Sequence, residues 1–298
     1  MQHQQSSAWL TVADYQLHLR LLTPVQTESA YPVLMLHGAI ENSRIFHNEK
    51  GRGLGCFLAD HGFTVTCADF AGRGLSKPKA GRGFNHSQQQ LICLDIPALI
   101  EHLYQQHQQP VVVVAHSWAG VVLAASLARF PELLPKVKAI VTFGTKRVIR
   151  VSGLKKRLHI DLVWNWLAPL LCRFYGYLPA KQWRFGADNE PAQYLLDTIE
   201  WIRGGAFIDA TDGFDYGAAC SAVRWPHSWH FAAVRDQLLG HPKDIQAFLA
   251  ETGLNSGIYS LLGKAHGNLQ DYDHISMLTA PSAVSDHFVR LEKWLKQL

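Results

Sequence analysis

Four short runs of apolar and β-branched residues set the rhythm of the first half of the chain: PVLMLHG (32–38), FTVTCADF (63–70), PVVVVAHS (110–117) and VKAIVTFG (137–144). Each reads as a strand buried on both faces, the pattern of a parallel sheet covered by helices. Helical stretches predicted at about 53–61, 87–107 and 118–129 fill the gaps, so the fold class is α/β with a doubly wound, mostly parallel sheet. Residues 9–22 alternate enough to predict an antiparallel hairpin turning near Asp14. A second βα series begins at WHFAAVRD (229–236), continues through KDIQAFLAE (243–251) and IYSLLGK (258–264), and ends in the helical SAVSDHFVRLEKWLKQL.

The stretch between the two series is too long for a connection inside a compact domain and holds no clear sheet strand. The chain is therefore expected to divide into a core, residues 1–145 with 228–298, and an inserted, mainly helical cap, residues 146–227. That insertion is rich in aromatics, among them Trp164, Trp166, Phe174, Trp183, Trp201, Phe207 and Tyr216. They can build the insertion's own core or line an apolar substrate pocket, and the pattern does not sort one set from the other.

Composition narrows the function classes. With 298 residues, 48% hydrophobic, the chain can bury one large core. A formal charge of +4, with no basic stripe interleaved with aromatics, gives no reason to expect a nucleic-acid partner. Five scattered cysteines with no C-x-x-C pair argue against a disulfide framework or a zinc site and favour a cytoplasmic home. The start, MQHQQSSAWLTVADYQ, carries no evident secretory signal. The most apolar segment, 160–178, approaches membrane-spanning length but is interrupted by Asp161, Asn165, Pro169 and Arg173. It is expected to be a buried or interfacial helix pair rather than an integral membrane segment, with peripheral membrane contact left open. The cluster Lys146, Arg147, Arg150, Lys155, Lys156 and Arg157 is expected to form a solvated face. GRG at 51, 72 and 81 completes no phosphate-binding motif, and HSWH (227–230) lacks the glutamate of a zinc-protease helix, so no cofactor and no metal are expected.

The candidate chemistry centres on AHSWAG (115–120), where Ser117 ends a buried strand and opens a helix. A serine there is held above the sheet edge at a helix N-terminus, which favours developing negative charge. It is also a good helix cap, the structural alternative. Ala115 and Ala119 stand where the usual G-x-S-x-G elbow has glycines. LHGAIENS (36–43) ends an earlier strand and offers the backbone N–H of Ala39, with that of Trp118, as an oxyanion hole. Asp236 closes the strand that resumes after the insertion; its rivals Asp209, Asp212 and Asp215 lie inside the insertion. His274 follows the last strand, with His266 its chief competitor in the same loop. The chain order Ser117, Asp236, His274, each at the C-terminal end of a predicted strand, makes these the expected catalytic triad.

On these motifs the sequence resembles the α/β-hydrolase superfamily over nearly its whole length. DFAGRGLSKP (69–78) is similar to the D-x-x-G-x-G-x-S loop of that superfamily. Within it, HGAIENSRIFHNEKGRGLGCFLADHGFTV, DQLLGHPKDIQAFL and DYDHISMLTAPSAV look like segments of the acid lipases of the gastric and lysosomal type, a likeness that favours His274 over His266. The resemblance implies an α/β-hydrolase fold and a serine hydrolase acting through an acyl-enzyme. The expected substrate is a small hydrophobic carboxylic ester. Amide, thioester and C–C bond hydrolysis use the same apparatus and stay open, as does a catalytically silent fold that binds a ligand or partner.

Overall fold

A computed structural model describes residues 2–26 and 31–298. The hairpin is longer than its alternation suggested: β1 (His3–Val12) and β2 (Tyr15–Pro24) pair antiparallel, turning at Ala13 and Asp14. The buried runs become β3 (Val33–Leu36), β4 (Val65–Asp69), β5 (Val111–His116) and β6 (Val137–Phe143). A two-stranded ladder, β7 (Tyr177–Leu178) with β8 (Glu190–Pro191), lies apart from the main sheet, which resumes with β9 (His227–Ala233) and β10 (Ile258–Leu262). The eight-stranded sheet runs in the order β1-β2-β4-β3-β5-β6-β9-β10, and β2 alone opposes the others.

This topology places the site. The chain crosses from β3 outward to β4 and then returns to β5 on the other side of β3, so the sheet's switch point lies between β3 and β5. The loops leaving two adjacent parallel strands diverge there and open a crevice at their C-terminal ends. His37–Gly38–Ala39 leaves β3 at that crevice, and Ser117 leaves β5. All six residues of β5 are buried, because helices cover both faces.

Between β6 and β9 the chain is mainly helical. A single continuous helical run spans 154–175, wound as π-helix over Arg157–Leu167 and as α-helix over Ala168–Tyr175. The expected helix pair is thus one element, with Pro169 at the junction of its π-helical and α-helical parts. Among the described residues no helix is long and apolar enough to cross a membrane. The aromatics divide by depth. Trp201, Phe207 and Tyr216 stack edge-to-face and tilted in one buried cluster, whereas Trp166, Phe174 and Trp183 are exposed.

The basic cluster expected at the surface splits. Lys146 and Arg147 are only 4% exposed, because the chain leaving β6 runs inward beneath the helices that follow. Arg147 is neutralised by Glu251 and also donates to the carbonyls of Trp201 and Gly205.

One buried ion pair fastens the intervening segment to the core. Arg73, in the loop after β4, pairs with Glu190 on β8, and its guanidinium lies 4.2 Å from the centre of the Tyr194 ring. The other Glu190 oxygen accepts the Ile40 N–H at 2.5 Å, so the same carboxylate also holds the loop after β3. Burial raises the Glu190 carboxyl above its ordinary range even beside Arg73, the mark of a pair whose desolvation is costly. Removing one partner should therefore hurt more than removing the charge of both. Arg73→Met is expected to lose about 3–5 kcal/mol of unfolding free energy in urea, and adding Glu190→Gln, which can still accept from Ile40, should recover much of that loss. Equal stability of the single and double variants would contradict this account.

Candidate active site

Ser117 occupies a backbone conformation, φ 52° and ψ −123°, that a non-glycine residue adopts only under compulsion. The turn is clamped on both sides: the Ser117 N–H donates to the Phe143 carbonyl at 2.7 Å, and Thr145 Oγ1–H donates to the Ser117 carbonyl at 2.9 Å. Its side chain does not cap the helix Trp118–Arg129. Ala115 and Ala119 are fully buried, so both methyls are accommodated. The glycine that this elbow requires is Gly120, where an added Cβ would stand 2.3 Å from Thr145 Oγ1.

Ser117 Oγ–H faces His274 Nε2 at 2.9 Å, and His274 Nδ1–H faces Asp236 Oδ2 at 2.5 Å. Gly144, at φ 64°, makes room for this: a Cβ there would lie 2.8 Å from two atoms of the imidazole. Burial, opposed by Asp236, sets the His274 pKa below its ordinary value. Burial works against ionisation of Asp236, but His274, the Gly240 N–H and Lys146 together leave the carboxyl below its ordinary value. The arrangement is therefore a neutral imidazole oriented by a carboxylate, with its basic nitrogen on a serine hydroxyl. Among the described residues the N–H groups of Ala39 and Trp118 donate to no protein acceptor, and both residues line the same cavity as Ser117 and His274.

The other candidates lie elsewhere. Asp209 and Asp212 pair with Arg129, Asp215 caps the helix Tyr216–Ala222, and His266 is exposed. No group of three or more His, Cys, Asp or Glu able to hold a metal ion occurs among the described residues.

Sequence reasoning missed a second pair. Glu41 Oε2 accepts from His116 Nδ1–H at 2.8 Å and from the Gly38 N–H at 2.9 Å, while His116 Nε2–H donates to the His274 carbonyl at 3.0 Å. With an acceptor on each nitrogen, His116 is held as imidazolium; burial lowers its pKa, but Glu41 outweighs that and raises it. Burial in turn opposes ionisation of Glu41, yet His116 brings its pKa down to about 2. This pair ties the loop after β3 to the residue before Ser117 and to the backbone of His274. The available signal was a glutamate three residues after His-Gly and a histidine beside the serine. His37 adds a further clasp, donating from Nδ1 to the Gly38 carbonyl at 2.8 Å and accepting the Phe70 N–H at Nε2.

The cavity over Ser117 has a volume of about 450 Å³ and a mostly aliphatic wall, including Ile149, Ile160, Ile202 and Leu239. Fold and site together define an α/β hydrolase. The chain belongs to the family described as serine aminopeptidase, S33, whose profile matches residues 27–197; Asp236 and His274 lie beyond the matched stretch. No curated protein matches the sequence. Among solved structures the chain is similar to a soluble variant of monoglyceride lipase from Saccharomyces cerevisiae, at 14% identity and a TM-score of 0.68 over 98% of this chain and 95% of that one. It is also similar to the esterase EaEST from Exiguobacterium antarcticum, at 14% identity and 0.64 over 98% and 100%. A thioesterase domain from the curacin biosynthetic pathway aligns at 14% identity and 0.58 over 99% and 100%. At such identities these likenesses speak for the fold alone.

Glu41→Gln leaves the His116 imidazolium without its counter-charge. Its unfolding free energy at neutral pH should fall by about 3 kcal/mol. A carboxylate with a depressed pKa stabilises above its ordinary value and loses that contribution as pH falls through the folded value. The gap between wild type and Glu41→Gln should therefore be full above roughly pH 4.3 and close as the pH falls toward about 2. A gap independent of pH would refute the ion pair.

Proposed function

We propose that this protein is a serine hydrolase of carboxylic esters. The observation that carries this is the Ser117–His274–Asp236 relay at 2.9 and 2.5 Å, on an elbow with two unpaired N–H groups beside it. His274 takes the proton as Ser117 Oγ attacks the acyl carbonyl, the Ala39 and Trp118 N–H groups bind the oxyanion, and Asp236 stabilises the imidazolium. His274 then protonates the departing alcohol and activates water to release the acid. Residues 146–227 act as the cap, supplying Ile149, Ile160 and Ile202 to the acyl or alcohol pocket.

An ester is favoured over a peptide with a free amino terminus. Such a substrate needs an available carboxylate, but Glu41 is spent on His116 and Glu190 on Arg73, while Lys146 brings an ammonium to the wall. Wild-type protein should be labelled by a fluorophosphonate and should hydrolyse para-nitrophenyl alkanoates, with kcat lowered about 10⁶-fold in Ser117→Ala. The lowered His274 pKa places the acid limb of kcat/KM below roughly pH 6.5, because activity needs the neutral base and fails as pH drops through that pKa. Absence of labelling in folded wild type would favour a silent fold.

We also propose that the cap rests on a lipid surface. Leu154, Leu158, Leu162, Trp166, Leu170 and Phe174 recur every fourth residue along 154–175, and all are exposed, Leu154 by 82% and Phe174 by 75%. Ile160 and Trp164 of the same run face the cavity. Lys155, Arg157 and Arg173 are exposed along it, as expected for a helix lying in an anionic interface. Wild type should co-sediment with vesicles containing phosphatidylserine, and Leu158→Glu with Leu162→Glu should release it. Equal recovery of both proteins in the supernatant would contradict the proposal.

A further inference from the structure

The wall of the cavity holds a charge that no side chain or carbonyl pairs directly. Lys146 follows β6 by three residues, is 4% exposed, and lines the cavity beside Ser117 and His274. Among the described residues its Nζ makes no hydrogen bond and no ion pair; its one recorded contact is the Trp118 ring, whose centre is 5.7 Å away. The other charged and polar side chains of the wall outside the relay are engaged. Glu41 is held by His116, Asn42 by Asp188, Arg44 by Glu49, Thr198 by the Leu195 carbonyl and Thr279 by the Ile275 carbonyl. Trp164, from the cap, leaves a second buried donor on this wall, its Nε1–H, without an acceptor.

An unpaired ammonium in an aliphatic cavity is poorly solvated, and a ligand that brings the counter-charge offsets that cost on binding. We propose that Lys146 is a specificity residue that seats a monoanionic group of the substrate, so that the cavity takes esters carrying a carboxylate as well as a hydrophobic chain. One negative charge is the match: among the described residues Lys146 is the single unpaired cation of the wall, Arg44 being 65% exposed and paired at the rim, and Arg147 neutralised by Glu251. The proposal rests on Ser117 being the nucleophile.

Three carboxylates act on Lys146. Asp236, Asp244 and Glu41 hold its charge on; burial works against it more strongly and brings its pKa down to about 8; and its charge in turn lowers the pKa of His274. Asp236 is shared with His274, Asp244 accepts the Arg150 N–H, and Glu41 belongs to His116. The ammonium is thus present at neutral pH and lost as pH rises through about 8. Preference for an anionic substrate should follow it, on a limb separate from the acid limb of His274.

The test compares charged esters with their neutral counterparts. One arm places the charge on the acyl side, using mono-para-nitrophenyl esters of dicarboxylic acids from adipic to sebacic against their methyl esters. The other places it on the leaving group, using butyryl para-hydroxybenzoate against its methyl ester. In at least one arm the wild-type ratio of kcat/KM, charged over neutral, should exceed that of Lys146→Met by roughly 10- to 100-fold. It should fall above pH 8, and in Lys146→Arg it should persist there. Lys146→Met removes a buried charge and should also raise Tm, which reports that the variant folds. The same ratio in wild type and Lys146→Met in both arms overturns the proposal, as does an equal fall on charged and neutral esters, which would make Lys146 a positioning residue for Asp236. Fluorophosphonate labelling separates the two readings: a labelled enzyme with no charge preference loses only the Lys146 assignment, whereas an unlabelled protein inert to every ester loses the nucleophile as well.

Discussion

The reversal of the chain at Ser117 is the constraint from which the rest of the site follows. A serine at φ 52° and ψ −123° stores about 1–3 kcal/mol of backbone strain, and it persists because the end of the neighbouring strand β6 over-determines it. The Phe143 carbonyl takes its N–H and Thr145 takes hold of its carbonyl, which also accepts the Gly120 N–H, so the elbow is pinned to the end of β6 as well as to its own helix. That attachment brings Thr145 against the helix and makes Gly120 the position where no side chain fits. It also fixes where the residues after β6 go: Gly144 lies under the His274 ring, and Lys146 turns into the cavity.

Around the elbow, two histidines whose rings are 4.7 Å apart are held in opposite protonation states. His116 meets acceptors at both nitrogens and keeps two protons; His274 meets a carboxylate at one nitrogen and a hydroxyl at the other and stays neutral. Partners, not burial, separate them, since both are buried. The charged neighbour also helps to keep His274 unprotonated, because two cations so close repel. With Glu41 and Asp236 negative and His116 and Lys146 positive, the resting site is balanced, and a bound anion would tip that balance toward stabilising a protonated His274.

The segment between β6 and β9 has two apolar faces for a physical reason. Its long helical run turns Ile160 and Trp164 toward the cavity, and the residues between them in the helical repeat face outward. Glu190 couples that segment to the candidate site, since one carboxylate holds both Arg73 and the N–H of Ile40, next to Ala39. Movement of β8 would therefore be felt at the loop after β3.

Much of the fold was legible along the chain, because a strand buried on both faces is written as a largely apolar, β-branched run, as β3, β4, β5 and β6 are. Ser117 and Asp236 were legible at the ends of predicted strands, and His274 in the stretch after the last one, in a particular order. Lys146, Arg147, Glu41 and His116 were not: a run of basic residues reads as a solvated face, and nothing local says that the chain will dive inward after β6. The aromatics of the insertion were equally silent, since a helical repeat shows that one side is apolar without showing which neighbour covers it. The sequence by itself determined the strands, their order of use and the residue types at their ends. Only the tertiary structure decided which charges meet and which are left unpaired, because pairing depends on distances between segments far apart in the chain.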